Sequence, residues 1–371
     1  MHITQLSLRS FRNYETLDLV PQENLNLLIG SNAQGKSAIL EAVYFLSTSK
    51  SHRTTRDAEL IRLGSEHARV SAEIHREARP DVMLEIVLSR TQRRILRVDR
   101  KKKERLVDFI GQLNAIIFSS FDVEMVRGEP ALRRRFLDLE LSQTSPQYLY
   151  ALARYKRTLE QRNRALKLIN AGRAQPKILE PLDEQLAFYG SIVTARRSEF
   201  VADLGSAAEE VYRRLTAGNE ILDVVYNPSA RLLNGKAEDI KSVLVEQLAE
   251  KRDIDIARGS TTIGPHRDDV EMRVDGVPVR EYASQGQQRC AALALKLAEA
   301  AILREKLGEA PVILLDDVCA ELDIRRRSGA LAFIREGFQA FVTATALEEL
   351  PGEMIRGAQV FDVEGGEVRK R

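Results

Sequence analysis

The stretch Gly30-Ser31-Asn32-Ala33-Gln34-Gly35-Lys36-Ser37 reads G-x-x-x-x-G-K-S. It follows the apolar run Leu25-Asn26-Leu27-Leu28-Ile29 and opens Ala38-Ile39-Leu40-Glu41-Ala42-Val43, whose apolar residues have helical spacing. Strand, glycine-rich turn and helix form the setting in which this pattern makes a phosphate site. The glycines let backbone N–H groups approach a polyphosphate, and the helix N-terminus turns its positive dipole end toward the same charge. In that geometry Lys36 reaches the β and γ phosphates and the Ser37 hydroxyl ligates Mg²⁺. The chain is therefore expected to be α/β and to bind a nucleotide.

Such a loop needs acidic residues opposite it. Pro311-Val312-Ile313-Leu314-Leu315-Asp316-Asp317 predicts a buried parallel strand with two carboxylates at its C-terminal end, where open α/β sheets place ligands. Asp316 is expected to hold Mg²⁺, commonly through water, and Asp317 to orient or polarise an attacking water. The strand Phe338 to Thr345 ends in two hydroxyls, Thr343 and Thr345, either of which can face a γ-phosphate. Arg12, in the turn Phe11 to Tyr14, stands where an early loop reaches over a nucleotide, or else is a solvated turn arginine. Ser284 is a good helix N-cap with Gln287 at the capping-box position and the small Gly286 between them. That helix end is either a second anion site or a plain cap.

At 371 residues the chain exceeds the usual size of one core, so two lobes are expected. Strand patterns dominate early and late, with long helical patterns between them. The expected division is 1–120 plus 260–371 for the nucleotide core and 121–259 for a mainly helical insertion. In the insertion, Tyr148, Leu152, Tyr155, Leu159, Leu166 and Ile169 form one seam, which Arg162 interrupts, and Leu182 to Leu215 form a second. Two such helices with a short connection pack antiparallel. The run Ser47 to Arg56 suits a surface loop near phosphates, with His52 as a hydrogen-bonding loop residue. In Gly264-Pro265-His266-Arg267-Asp268-Asp269 a metal site is conceivable, but a structural turn with salt bridges fits better.

An apolar fraction of 44% with 30% charged residues is that of a soluble globular chain. No apolar run approaches the ~20 residues that span a bilayer, and the first residues begin a strand instead of a signal peptide. Cys290 and Cys319 lack metal-ligand spacing, which points to a reducing compartment. With a net charge of +2, any nucleic acid must be held by local patches. Arg93 to Arg105 is one: a hairpin whose basic tip is Arg100, Lys101, Lys102 and Lys103, able to contact DNA phosphates or merely to guard a sheet edge.

In order, Leu8-Arg9-Ser10-Phe11-Arg12-Asn13-Tyr14, the phosphate loop, the Gly264–Asp269 stretch, Ser284-Gln285-Gly286-Gln287-Gln288-Arg289, the strand to Asp316-Asp317 and Glu321-Leu322-Asp323 resemble ABC-type ATPases of the SMC branch. The match covers nearly the whole chain. The signature without a second glycine, the Gly-Pro-His-Arg-Asp-Asp stretch and the short helical hairpin are, within that branch, similar to the RecF family of bacterial DNA repair and replication. The resemblance implies an ABC/SMC-type P-loop ATPase head with a mixed β-sheet and an inserted helical lobe. It implies ATP and Mg²⁺ as cofactors and a weak, DNA-stimulated ATPase that dimerises on ATP, Ser284 of one copy capping the γ-phosphate held by the other. It further implies a cytoplasmic protein that binds double-stranded DNA near single-strand gaps and works with RecO and RecR to load RecA. An exporter ATPase subunit or an ATP-binding DNA scaffold would share the core motifs. Three positions depart from ABC ATPases in general. Asp317 replaces the usual Glu, which implies slow turnover; Thr345 stands roughly where a switch histidine would be; and Gln112 is the one candidate for the Q-loop glutamine.

Overall fold

The computed structural model describes residues 1–218, 220–231, 237–317 and 324–371. Four short, mostly apolar runs lie side by side in one sheet: β3 (Leu25–Ile29), β8 (Ala115–Phe118), β12 (Val312–Leu315) and β13 (Ala340–Ala344). With β14 (Gln359–Glu364) and β15 (Glu367–Lys370) they lie in the order β15-β14-β3-β13-β12-β8, all parallel except β15. Alternate side chains of a strand point to opposite faces, so an all-apolar run demands cover on both. Leu28, Ile117, Leu314 and Phe341 pack into one core with α1 (Lys36–Thr48), while Leu27, Ile116, Ile313 and Val342 pack into another with α9 (Gln285–Leu307).

The first core is closed by an antiparallel sheet, β2-β1-β4-β5-β6-β7. Its strands are β1 (His2–Phe11), β2 (Tyr14–Leu19), β4 (His67–His75), β5 (Val82–Ser89), β6 (Ile95–Val98) and β7 (Lys101–Lys103). β8 is shorter than the strand pattern from Gly111 suggests. Leu113 is buried from a bend ahead of β8, so its hydrophobicity mimics strand.

The second core is closed by helices: α2 (Ser120–Arg127), α3 (Pro130–Thr144), α4 (Pro146–Asn170) and α5 (Leu179–Leu215). Pro130 opens α3, where its missing N–H costs nothing. Tyr148 meets Arg197 and Arg162 meets Asp183, so α4 and α5 run antiparallel. A three-stranded sheet, β11-β10-β9, carries β9 (Leu222–Asn227), β10 (Asp269–Val274) and β11 (Val277–Pro278). The remaining helices are α6 (Ala237–Glu250), α7 (Arg252–Arg258), α8 (Val279–Tyr282), α10 (Ile324–Ile334) and α11 (Gly352–Ile355).

Arg162, the interruption in the first seam, is fully buried. Its guanidinium donates to Asp183 on α5 at 2.6 Å, to Asp255 on α7 at 2.6 Å and to the Thr261 hydroxyl at 2.9 Å. The break in the pattern is thus the joint that holds α7, a helix its short polar sequence gives little sign of. Removing one partner from a buried ion cluster strands the others. Arg162→Met should therefore lower the unfolding free energy in urea by about 3–5 kcal/mol, and adding Asp183→Leu with Asp255→Leu should restore most of it. A loss in the single variant no larger than that of an exposed salt bridge, about 1 kcal/mol, would remove the joint from this account.

Candidate nucleotide site

The phosphate loop turns where only glycine fits. A Cβ on Gly30 would lie 2.1 Å from the Val363 carbonyl oxygen. Gly35 has φ +118, and a Cβ there would meet the Asn13 side chain at 2.5 Å and the Tyr14 hydroxyl at 2.7 Å. Gln34 anchors the loop: its carbonyl accepts from Asn13 Nδ2 at 2.9 Å and from the Gly366 N–H at 3.3 Å, and its Oε1 accepts from the Gly365 N–H at 2.6 Å. Lys36 is nearly buried and donates to the loop's own carbonyls at Gly30 and Ser31. No acidic residue sits in the first turn of α1, so its dipole is left for a ligand. A cavity of about 790 Å³ opens here, lined by Arg12, Asn13, Asn32, Ala33, Gly35 to Ala38, Arg53 and Asp317, among others.

Asp316 and Asp317 leave β12 directly below this loop. The Ser37 hydroxyl donates to Asp316 Oδ1 at 2.8 Å, joining residues 279 positions apart. Thr343 Oγ1 lies 3.0 Å from Asp316 Oδ1 and 3.2 Å from Asp317 Oδ1, and it accepts the Asp317 N–H at 2.8 Å. Asp317 itself is held at φ +52, a conformation uncommon outside glycine. Burial raises the Asp316 carboxyl above its ordinary range, against the lowering pull of its hydrogen bonds to Ser37 and Thr343. Among the described residues no Lys or Arg forms an ion pair with Asp316. A buried carboxylate without a cation, beside a hydroxyl and a second carboxylate, is an all-oxygen donor set of the kind Mg²⁺ takes.

The other expected residues are placed as follows. Arg12 lines the cavity but is no solvated turn residue: it donates to both oxygens of the buried Glu41 at 2.7 and 2.8 Å. Thr345 does not join the acids. Its hydroxyl donates to Glu349, and Thr343, two residues earlier and still inside β13, reaches them instead. Gln112 accepts from Arg76 at 2.8 Å and is not among the residues lining the cavity. Ser284 caps α9, accepting from the Gln287 N–H at 3.2 Å, while Gln287 Oε1 accepts the Ser284 N–H at 2.9 Å. Neither they nor Gly286 line the phosphate-loop cavity. Asp99 and Arg100 form the hairpin turn, both at positive φ, and Lys101 to Lys103 form the edge strand β7, with Lys102 paired to Glu104 at 2.8 Å. Glu321-Leu322-Asp323 and Cys319 lie outside the described residues, and Cys290 is buried.

One expectation is corrected, and another, the structural turn with salt bridges, is met. His52 is not a hydrogen-bonding loop residue: both ring nitrogens are buried without a hydrogen-bond partner, and burial pushes its pKa down to about 4. Its ring instead packs edge-on to Tyr44. The Gly264–Asp269 stretch holds no metal set, since its acids are already engaged: Tyr226 and the Ser229 N–H bind Asp268, and Arg133 binds Asp269 at 2.7 and 2.9 Å. His266 Nε2 donates to the Thr261 carbonyl at 3.0 Å, and its Nδ1 pairs with the Tyr155 hydroxyl at 2.7 Å. Among the described residues no group of three His, Cys, Asp or Glu is placed to hold a metal. Residues that sequence reasoning passed over are Asn13 and Glu41, which orient the loop and Arg12. Thr343 was legible only through strand register, because Val342 pairs with Leu315, the residue before Asp316.

The RecF/RecN/SMC N-terminal domain family matches residues 2–367. The DNA replication and repair protein RecF of Lactobacillus delbrueckii subsp. bulgaricus is 40% identical over 371 residues, covering 99% of this chain and 97% of its own. This chain belongs to the RecF family. The RecF of Synechocystis sp. is 39% identical across 100% of this chain and 98% of that one. Among solved structures, the recombination mediator protein RecF with ATP, in the RecFOR pathway, superposes with TM-score 0.91 at 32% identity, covering 100% of this chain and 97% of that one. The Smc head domain of Pyrococcus furiosus shares the fold at TM-score 0.58 and 16% identity, over 100% of this chain and 96% of that one. The architecture of this RecF-family chain is that of an SMC-like P-loop ATPase head.

The Asp316 environment makes a stability prediction. A carboxyl with a raised folded-state pKa stabilises the fold below its unfolded pKa, and loses that contribution as pH rises through the folded value. At neutral pH the charge therefore costs stability, and Asn keeps the acceptor for Ser37 and Thr343 without it. Asp316→Asn should raise the melting temperature of the magnesium-free protein at pH 7.5 by about 2–4 °C, and the gain should vanish near pH 4. A variant that melts lower than wild type at pH 7.5 would contradict this.

Proposed function

We propose that this protein is an ATP-driven dimeric clamp on double-stranded DNA in recombinational repair and replication restart, acting near single-strand gaps and helping RecO and RecR load RecA. The observation that carries the reading is the hydrogen bond from Ser37 on the phosphate loop to Asp316 on β12, which sets both halves of a nucleotide site in register. The relatives named DNA replication and repair protein RecF, and the RecF structures with ATP, support the same assignment.

In this reading 1–120 with 260–371 is the ATPase core and 121–259 the inserted lobe. The N–H groups of Gly30 to Ser37 receive the phosphates, and Lys36 exchanges its two carbonyl partners for phosphate oxygens. Ser37 and Asp316 would hold Mg²⁺, which when bound neutralises charge developing on the phosphate oxygens. Asp317, fixed by Thr343, orients the water that attacks the γ-phosphorus as the bond to ADP breaks. Its side chain is one methylene shorter than the usual Glu, which fits slow turnover. Ser284, Gly286 and Gln287 stand outside the cavity in their own subunit and cap the γ-phosphate of a second copy. Arg100 to Lys103, at the edge of the antiparallel sheet, contact the DNA backbone. No helix among the described residues is long and apolar enough to cross a membrane, and the action on DNA places the protein in the cytoplasm.

Sedimentation tests the clamp. With saturating ATP and magnesium at tens of micromolar, wild type should sediment as a dimer. Lys36→Met should stay monomeric and lose the ATP held at the phosphate loop, whereas Ser284→Arg should keep that ATP yet remain monomeric. A wild type found only as single copies would refute the clamp, and loss of ATP binding by Ser284→Arg would refute capping in trans. For DNA, reversing Arg100, Lys101 and Lys102 to Glu should weaken duplex binding, read by anisotropy. The plot of log affinity against log salt should flatten by roughly one unit per lost phosphate contact. An unaltered slope would return the hairpin to edge protection.

A further inference from the structure

A second cavity, of about 530 Å³, lies where the segment Ser49 to Asp57 faces α3, α4 and α5. It is lined by Lys50, Arg94, Arg134, Arg135, Lys156 and Arg197, against two carboxylates, Asp57 and Asp138. Asp138 is shared by Lys156 at 2.9 Å and Arg197 at 2.6 Å, and Asp57 faces Arg94 at 3.5 Å. That leaves Lys50, Arg134 and Arg135 with no carboxylate among the described residues. Arg134 and Arg135 are spent on backbone oxygens, those of Asp268 at 2.7 Å and Ser51 at 3.2 Å. The hydroxyl-bearing Ser51, Thr54 and Thr55 complete the wall. His266 adds no charge, since burial pushes its pKa down to about 4.

A wall of this kind repels itself. Burial lowers the pKa of Lys50, and the neighbouring Lys156, Arg135 and Arg94 lower it further. Polyvalent anions relieve such repulsion, and guanidinium groups bind phosphate oxygens in pairs. The volume falls within the range of small-molecule sites, and a DNA duplex is far too wide to enter it. We propose that this cavity is a second anion site, separate from the phosphate loop, that takes a small ligand carrying two or more linked phosphates.

The site is tested with inorganic tripolyphosphate by titration calorimetry at fixed low salt. Wild type should bind two equivalents. Lys36→Met should retain the one in this cavity, and Lys50→Gln or Arg135→Gln in that background should weaken it roughly tenfold each, the order of one charge-assisted contact. Lys50 has no ion-pair partner among the described residues, so its variant should fold as wild type does, checked by circular dichroism. Total loss of binding in Lys36→Met, or unchanged affinity in both Lys50→Gln and Arg135→Gln, would overturn the site. Addition of a 20-base-pair duplex should leave the tripolyphosphate bound to Lys36→Met. Stoichiometric displacement by the duplex would instead assign these cations to the DNA backbone and overturn the small ligand. Because the readout is made without the phosphate-loop lysine, it stands or falls apart from the clamp.

Discussion

The hydroxyl of Thr343 is the point on which the acidic half of the site turns. It faces both Asp316 and Asp317 and accepts the backbone N–H of Asp317, so one small side chain fixes two carboxylates and a strained residue. It can do so only because β13 lies between β3 and β12 in the sheet, with Val342 beside Leu315 and Thr343 beside Leu28. The parallel pairing of three short apolar strands thus sets the distance between a phosphate loop and the acids that answer it.

The other organising contact is electrostatic. The histidine and both acids of Gly264 to Asp269 are claimed by other elements. Arg133 and Arg134 reach it from α3, Tyr155 from α4, Arg197 from α5, and Tyr226 from β9. Gly264 has φ +121, and a Cβ there would sit 2.5 Å from the Tyr155 hydroxyl, so the turn and the helix are fitted to each other. A stretch that looks like a ligand set in the sequence is a knot between the helices and the three-stranded sheet.

Much of the fold was legible because its signals are local. Apolar runs of four or five residues, two of them ending at Gly30 and Asp316, give the parallel strands, and the two seams with a short connection give the helical hairpin. The phosphate loop is a contiguous motif. What was hidden depends on partners far away in sequence. α7 owes its place to Arg162, whose partner Asp255 lies 93 residues further along the chain. The choice of Thr343 over Thr345 follows from strand register, and the pairing of Arg12 with Glu41 from the closing of β1 over α1. His52 reads as polar but is packed like an aromatic residue. The basic cavity gathers side chains from five separate segments, none of which is remarkable alone.

The hold of Gly365 and Gly366 on Gln34 carries a consequence for synthesis of the chain on the ribosome. The loop that grips phosphate is translated within the first tenth of the message, yet the backbone that clamps it emerges only with β14 and β15. β12 and β13, which supply the acids and their hydroxyl, are late as well. A nascent chain therefore cannot complete its cradle until almost the whole polypeptide has left the exit tunnel. A product cut short before Gly365 lacks the two glycine N–H groups that hold Gln34 in place.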